Sequence, residues 1–210
     1  MAKPIEVFVG PMFSGKSRDL ITCLRRYEVA GNSIALCKPR LDTRTQGEVR
    51  TRDGIRTPAY VATSSTDLVK WSEKLRAASP KDQVIGIDEA QFFDPRFPDA
   101  LKYISGQLGI GIVVAGLPRD FRGEPFGPMP EVMAMAHVLH ALTAICTYQR
   151  SGKVCGGVAT ETYRSINGRP CSYTDPIVLV GDKKEGYEAR CLEHHFVRNR
   201  PKIVFDRVLK

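Results

Sequence analysis

Residues 5–17 read IEVFVGPMFSGKS, in which Ile5–Val9 is a short apolar run and Gly10-Pro11-Met12-Phe13-Ser14-Gly15-Lys16-Ser17 fits G-x-x-x-x-G-K-[ST] at every position. The pattern makes a tight physical demand. A buried strand must deliver a loop whose backbone N–H groups turn inward around phosphate oxygens, and the helix that follows must point its positive end at the anion. Gly10 and Gly15 let the backbone approach, Lys16 reaches for the β/γ-phosphates, and the Ser17 hydroxyl is placed to ligate Mg²⁺. A glycine-containing turn that matches by chance is the plain alternative. Strand, loop and helix nevertheless follow in the order the motif requires, so the stretch points to a nucleoside triphosphate site.

The rest of the composition bounds what surrounds that loop. With 210 residues the chain has room for one sizeable α/β domain and a small appendage. Hydrophobic residues at 42% and charged residues at 26% are ordinary for a globular protein. No apolar run approaches the roughly 20 residues of a membrane span, and MAKPIEVFVG enters a strand without room for a signal peptide. The expectation is a cytoplasmic enzyme with no membrane partner. Six cysteines scattered among α/β segments suggest reduced thiols and a metal site, not a disulfide framework. The net charge of +8 invites a nucleic-acid reading. Its Lys and Arg are dispersed, however, and an enzyme that handles triphosphates also gains from a positive field. No nucleic-acid partner is expected.

Downstream of the loop, Leu20, Ile21, Leu24 and Tyr27 recur at helical spacing until Gly31-Asn32, and Ser33–Cys37 reads as a second strand. Lys38–Pro58 is polar and aperiodic and reads as a mobile loop; Asp53-Gly54 within it suits a hairpin turn. Ser64–Ala77 carries Leu68, Trp71 and Leu75 on one helical face. Gln83–Ile87 is a buried strand that ends in Asp88-Glu89. An acid at a strand end downstream of a phosphate loop is where such folds hold Mg²⁺. Successive residues leaving a strand point apart, so Asp88 can serve the metal while Glu89 faces the acceptor; the plainer role is a capping acid. Ile110–Ala115 is another buried strand. Alternating strands and helices imply a doubly covered parallel sheet with active-site loops at the strand carboxyl ends.

Leu117, Phe121 and Phe126 follow that strand, either as anchors of a loop or as the wall of a flat aromatic substrate. Pro130–Ala136 reads as a short helix and His137–Ile145 as a strand, with His137 and His140 structural and no acid near them in sequence. From Cys146 the composition shifts towards a small second domain. Cys191-x-x-His194 is a good half-site for tetrahedral Zn²⁺. Cys146 and Cys155 are its candidate partners, although their separation is longer than usual. Cys171 and His195 remain substitutes, and buried free thiols are the alternative. A zinc here would staple the roughly 35-residue excursion between Cys155 and Cys191, which lacks apolar residues for its own core. The basic end, from Asn199, reads as surface.

Taken together these residues resemble the thymidine kinases of the cellular, tetrameric type, whose fold is a RecA-like P-loop NTPase domain with a parallel sheet plus a small zinc-binding lasso domain. The resemblance runs from Ile5 to about Phe196. It rests on GPMFSGKS at 10–17, DEAQFF at 88–93, Leu117 with Phe121 and Pro125-Phe126, Cys155 with Thr162-Tyr163-Arg164, and Val180-Gly181, Tyr187 and Cys191. It implies a P-loop kinase domain over 1–142, a lasso domain over 143–198 and a basic tail over 199–210.

The resemblance further implies transfer of the γ-phosphoryl group of ATP to the 5′-hydroxyl of thymidine or deoxyuridine. Loop residues 10–17 would hold the phosphates, Ser17 and Asp88 the Mg²⁺, and Glu89 would be the general base. Asp53 would lie near metal and phosphates, and Arg164 is a candidate for stabilising transition-state charge. Met12, Leu117, Phe121 and Phe126 would form the apolar pocket. Thr162 and Tyr187 would close over the base, and backbone groups around Val178, Val180 and Gly181 would read it. A structural Zn²⁺, a homotetramer and inhibition by thymidine triphosphate complete the expectation. Two departures stand out: the first zinc pair is stretched by an insertion, and Gly181–Tyr187 is about one residue long. The rival class is a P-loop ATPase that grips nucleic acid through a zinc ribbon. Its second motor domain has no room in this chain, and no interleaved aromatic-basic strip is present.

Overall fold

The computed structural model describes residues 2–42, 47–51, 54–79, 81–178 and 185–202. Its elements run β1 (Ile5–Val9), α1 (Lys16–Val29), β2 (Ser33–Pro39), β3 (Glu48–Arg50), β4 (Arg56–Pro58), β5 (Tyr60–Ala62), α2 (Ser65–Ala78), β6 (Gln83–Ile87), α3 (Phe97–Gly106), β7 (Gly111–Gly116), α4 (Met129–Ala134) and β8 (Val138–Ala141). A six-stranded sheet in the order β5-β2-β6-β7-β1-β8 is parallel throughout. Parallel strands covered on both faces read as near-continuous apolar runs, and β6 and β7 are buried at every residue. The pleat sends alternate side chains to opposite faces. Val7 and Val9 therefore join Leu68, Phe97 and Leu101 under α2 and α3, whereas Phe8 joins Leu20, Ile21 and Leu24 of α1.

Beyond β8 the chain builds small antiparallel sheets: β9 (Ala144–Ile145) with β12 (Val158–Ala159), β10 (Gln149–Arg150) with β11 (Lys153–Val154), and β13 (Glu161–Ile166) flanked by β14 (Arg169–Pro170) and β15 (Glu185–Arg190). Two small hydrophobic clusters serve this part, one around Cys146 and Ala189 and one around Phe121, Cys171 and Val197.

Three expectations from the sequence are corrected. Residues 48–50 and 56–58 are not a structureless loop, because β3 and β4 pair antiparallel with Val49 buried opposite Thr57; Asp53 of the expected Asp53-Gly54 turn lies outside the described residues. The strand expected over His137–Ile145 breaks after Ala141, since β8 belongs to the large sheet and β9 to a small one. His140 does meet an acid: its Nε2 lies 2.7 Å from Glu6 Oε1 on the neighbouring strand. His137 accepts the Ile5 N–H at Nδ1, a structural role. Among the described residues no helix is long and apolar enough to cross a membrane.

Candidate active site

The loops leaving the carboxyl ends of β1, β6 and β7 meet above the sheet, where open α/β sheets place their ligands. Residues 10–15 turn from β1 into α1. A Cβ on Gly10 would come within 2.6 Å of the Leu142 carbonyl oxygen, and Gly15 caps the helix at φ 88°. Both positions thus exclude a side chain for physical reasons. Lys16 Nζ donates to the Pro11 carbonyl at 2.7 Å, which holds the ammonium over the loop. The Met12 N–H is engaged elsewhere, donating to Thr162 Oγ1 at 3.0 Å and so tying the phosphate loop to β13.

Asp88 and Glu89 leave β6 as expected. Asp88 is buried and takes a hydrogen bond from the Ser17 hydroxyl; burial first, and the Glu89 charge second, push its carboxyl up to about 7. Glu89 follows in a left-handed conformation at φ 52°. Its N–H donates to Asp88 Oδ1 at 2.9 Å, and its Oε2 accepts from Gln91 Nε2 at 2.6 Å. Two adjacent acids are thereby held in different settings, one against the phosphate-loop serine and one against an amide.

The loop 117–126 supplies the opposite wall. Leu117 and Phe121 are buried, and Phe126 packs edge-on against Phe92, with ring centroids 5.5 Å apart. A cavity of about 900 Å³ brings together Met12 to Ser17, Asp88, Glu89, Leu117, Phe121, Phe126, Thr162, Val178 and Tyr187. Residues chosen from distant parts of the sequence therefore face one space. Val180 and Gly181 lie outside the described residues. Phe92, Asp120 and Ile177 also line the cavity and were missed. Phe92 lies inside the quoted DEAQFF, and Asp120 sits one residue before Phe121, so proximity to a motif was the only signal.

Arg164 does not present its guanidinium as a free transition-state charge. It is 1% exposed and donates to the Pro176 carbonyl at 2.6 Å, the Ile177 carbonyl at 2.8 Å and Cys171 Sγ at 3.2 Å. The same group lies 3.9 Å over the Phe121 ring. It fastens the segment at Pro176-Ile177 to the cavity's aromatic wall.

Cys146, Cys155, Cys191 and His194 come together with all four donor atoms within 4.8 Å of one another. A tetrahedral centre with Zn–S near ~2.3 Å and Zn–N near ~2.0 Å sets its ligand atoms at about this spacing, so the donor set fits a zinc ion. The stretch between Cys146 and Cys155 is the β10–β11 hairpin, which returns the second thiol to the first. Burial opposes ionisation of Cys146. Hydrogen bonds from the Cys191 and Tyr148 amides outweigh it and bring the thiol down to about 7. Both substitutes are occupied elsewhere: Cys171 by Arg164, and His195 by the Phe121 carbonyl at 2.9 Å from Nε2.

The family model described as thymidine kinase matches residues 3–195. A thymidine kinase of Deinococcus radiodurans is 45% identical over 191 residues, 88% of this chain and 86% of that one. This chain belongs to the thymidine kinase family. As a thymidine kinase family member it is an enzyme that phosphorylates thymidine, and its P-loop implies nucleotide and Mg²⁺ use. Among solved structures, an ATPase domain matches at 11% identity and a TM-score of 0.49, over 75% of this chain and 81% of that one. The genome packaging NTPase B204 from Sulfolobus turreted icosahedral virus 2 matches at 17% and 0.46, over 72% and 76%.

Proposed function

We propose that this kinase transfers the γ-phosphoryl group of ATP to the 5′-hydroxyl of thymidine or deoxyuridine, with Glu89 as general base. One observation carries the reading: the phosphate loop, Glu89 and the apolar side chains of loop 117–126 line one cavity. Phosphoryl transfer asks the protein mainly for positioning and charge neutralisation. Lys16 and backbone N–H groups of the loop at the start of α1 hold the phosphates. Ser17 and Asp88, which line the same cavity, would be the protein's Mg²⁺ ligands. When bound, Mg²⁺ neutralises charge on the β- and γ-phosphate oxygens. Glu89 accepts the proton of the attacking hydroxyl, a contribution on the order of 10²–10⁴ in rate. Leu117, Phe121 and Phe126 clamp the flat base, Thr162 and Tyr187 close over it, and backbone groups around Val178, Val180 and Gly181 read its imide edge, for which a donor and an acceptor at fixed positions suffice. Asp53 belongs to the phosphate side in the same reading.

Zn²⁺ on Cys146, Cys155, Cys191 and His194 would be structural and would staple the excursion between Cys155 and Cys191 within a lasso domain over 143–198, which follows a kinase domain over 1–142 and precedes a basic tail over 199–210. The reading extends to a homotetramer, to inhibition by thymidine triphosphate in the nucleoside cavity, and to the cytoplasm. The exposed edge of β8, where Val138 and Leu139 are 46% and 45% exposed, supports self-association, since an open edge strand is a ready pairing surface. Cysteines without disulfides support a reducing compartment.

The test is transfer of label from γ-labelled ATP into a panel of nucleosides with Mg²⁺ present. Labelled thymidine and deoxyuridine monophosphates, with little label in purine nucleosides, are expected. ATP hydrolysis stimulated by DNA, with no nucleoside product, would overturn the proposal.

A further inference from the structure

The parallel ladder between β6 and β7 ends at Ile87 and Val114. Beyond it Asp88-Glu89 follow β6 and Leu117 follows β7, and all three line the cavity. One side chain bridges Glu89 and Leu117. Gln91 lies in the short helical turn Ala90–Phe92 and is 2% exposed. Its Oε1 accepts the Leu117 N–H at 2.9 Å, and its Nε2 donates to Glu89 Oε2 at 2.6 Å. The orientation of the amide follows from its partners. A backbone N–H can only donate, so the oxygen must face Leu117 and the NH₂ must face the carboxylate.

Both ends of Gln91 therefore rest on groups of the proposed reaction, and Gln91 itself lies outside both the phosphate loop and the nucleoside wall. The support matters because Glu89 sits at φ 52°, a left-handed conformation that a non-glycine residue keeps only where its surroundings over-determine it. Fixing one carboxylate oxygen fixes the plane in which the other is presented.

We propose that Gln91 is a positioning residue, a buried amide that holds the Glu89 carboxylate in register with Leu117, so that the base and the nucleoside it deprotonates share one frame. The inference rests on Glu89 being the base. Its consequence is specific: Gln91 acts on turnover, through Glu89, and hardly on thymidine affinity.

A double-mutant cycle with labelled ATP tests it. Gln91→Leu is expected to lower kcat by about 10- to 100-fold, the scale on which misplacement of a reacting group by an ångström is felt, with KM for thymidine within about threefold. In a Glu89→Gln background the same substitution should change the residual kcat by less than about threefold, because a residue that acts through another loses its effect when that partner is gone. Gln91→Glu keeps the volume and the acceptor for Leu117 but turns a second carboxylate towards Glu89, so its kcat should fall at least as far; it stands in if Gln91→Leu does not fold. An equal factor in both backgrounds, or a kcat within twofold of wild type in either variant, would overturn the proposal. The Glu89→Gln arm separates the two failures. If it alone stays fully active, the base assignment falls and takes this proposal with it. If it is inactive while Gln91→Leu is unaffected, only Gln91 loses its role.

Discussion

Replacing Arg164 by Met removes a guanidinium that donates to two carbonyls, at Pro176 and Ile177, and to the Cys171 sulfur, and that lies against the Phe121 ring. Hydrogen bonds from a charged donor are worth about 1.5–3 kcal/mol each. Because Pro176 is exposed and Ile177 partly so, water can replace some of that, and the lower end, about 1.5 kcal/mol apiece, is the fair figure. The cation–π contact adds about 1–2 kcal/mol in a desolvated setting. For the two carbonyls and the ring the total is about 4–5 kcal/mol, which for a chain of this size lowers Tm by roughly 8–20 °C. Part of the loss falls on the nucleoside wall. If about 1–2 kcal/mol of it is felt there, KM for thymidine rises about 5- to 30-fold, while kcat stays within about threefold. Arg164→Lys should fare little better, since an ammonium cannot serve two carbonyls and a ring face at once. Thermal melts and steady-state kinetics on the same preparations read both effects. A fall of 10³-fold or more in kcat, the scale of a charge supplied to the transition state, with KM and Tm unchanged, would refute this reasoning and make Arg164 a catalytic cation.

Chelation should act on the nucleoside cavity as well as on the fold. Stripping the Cys146–His194 centre loosens His195, whose ring holds the Phe121 carbonyl; Cys146, Cys155 and Cys191 should become alkylated and KM for thymidine should rise, with both effects reversed by added Zn²⁺. Cys23 and Cys37 should behave oppositely. Burial, reinforced at Cys23 by Glu6, pushes both thiols from their ordinary 9.0 up to about 12. Iodoacetamide at pH 8.5 should therefore leave them intact in the folded protein. As pH rises from 9 towards 12 the unfolded chain ionises these thiols first, so the denaturant midpoint should fall over that window; a flat profile with early labelling would show them accessible. Gly10→Ala should abolish most transfer activity, because its Cβ meets the Leu142 carbonyl oxygen at 2.6 Å and the phosphate loop must shift. Activity within twofold of wild type would show that the loop tolerates the change.

The sheet was legible because its signals are local. β7 is an unbroken apolar run, β1 and β6 are near-continuous ones interrupted by Glu6 and opened by Gln83, and G-x-x-x-x-G-K-S between a strand and an amphipathic helix has few other readings. The acids at 88 and 89 could be placed for the same reason: they end a buried strand downstream of the loop. What was not legible depends on contacts across long separations. Nothing near His140 in the chain announces Glu6, and nothing near Arg164 announces the Pro176 and Ile177 carbonyls that occupy it. The β3–β4 hairpin was hidden by polar strands too short for their alternation to register. Gln91 was quoted within a motif yet given no role, because an amide's function lies in its two partners, and Leu117 is 26 residues away.

The central claim, that Glu89 takes the proton of the attacking hydroxyl in a cavity shared by the phosphate loop and the nucleoside, is tested most directly by Glu89→Gln. This near-isosteric change keeps the partner of Gln91 and removes the base. Transfer from labelled ATP to thymidine should fall by about 10²–10⁴ in kcat, with KM for both substrates within about threefold and Tm unchanged. A kcat within about threefold of wild type would contradict the account and leave Glu89 a structural acid at the end of β6.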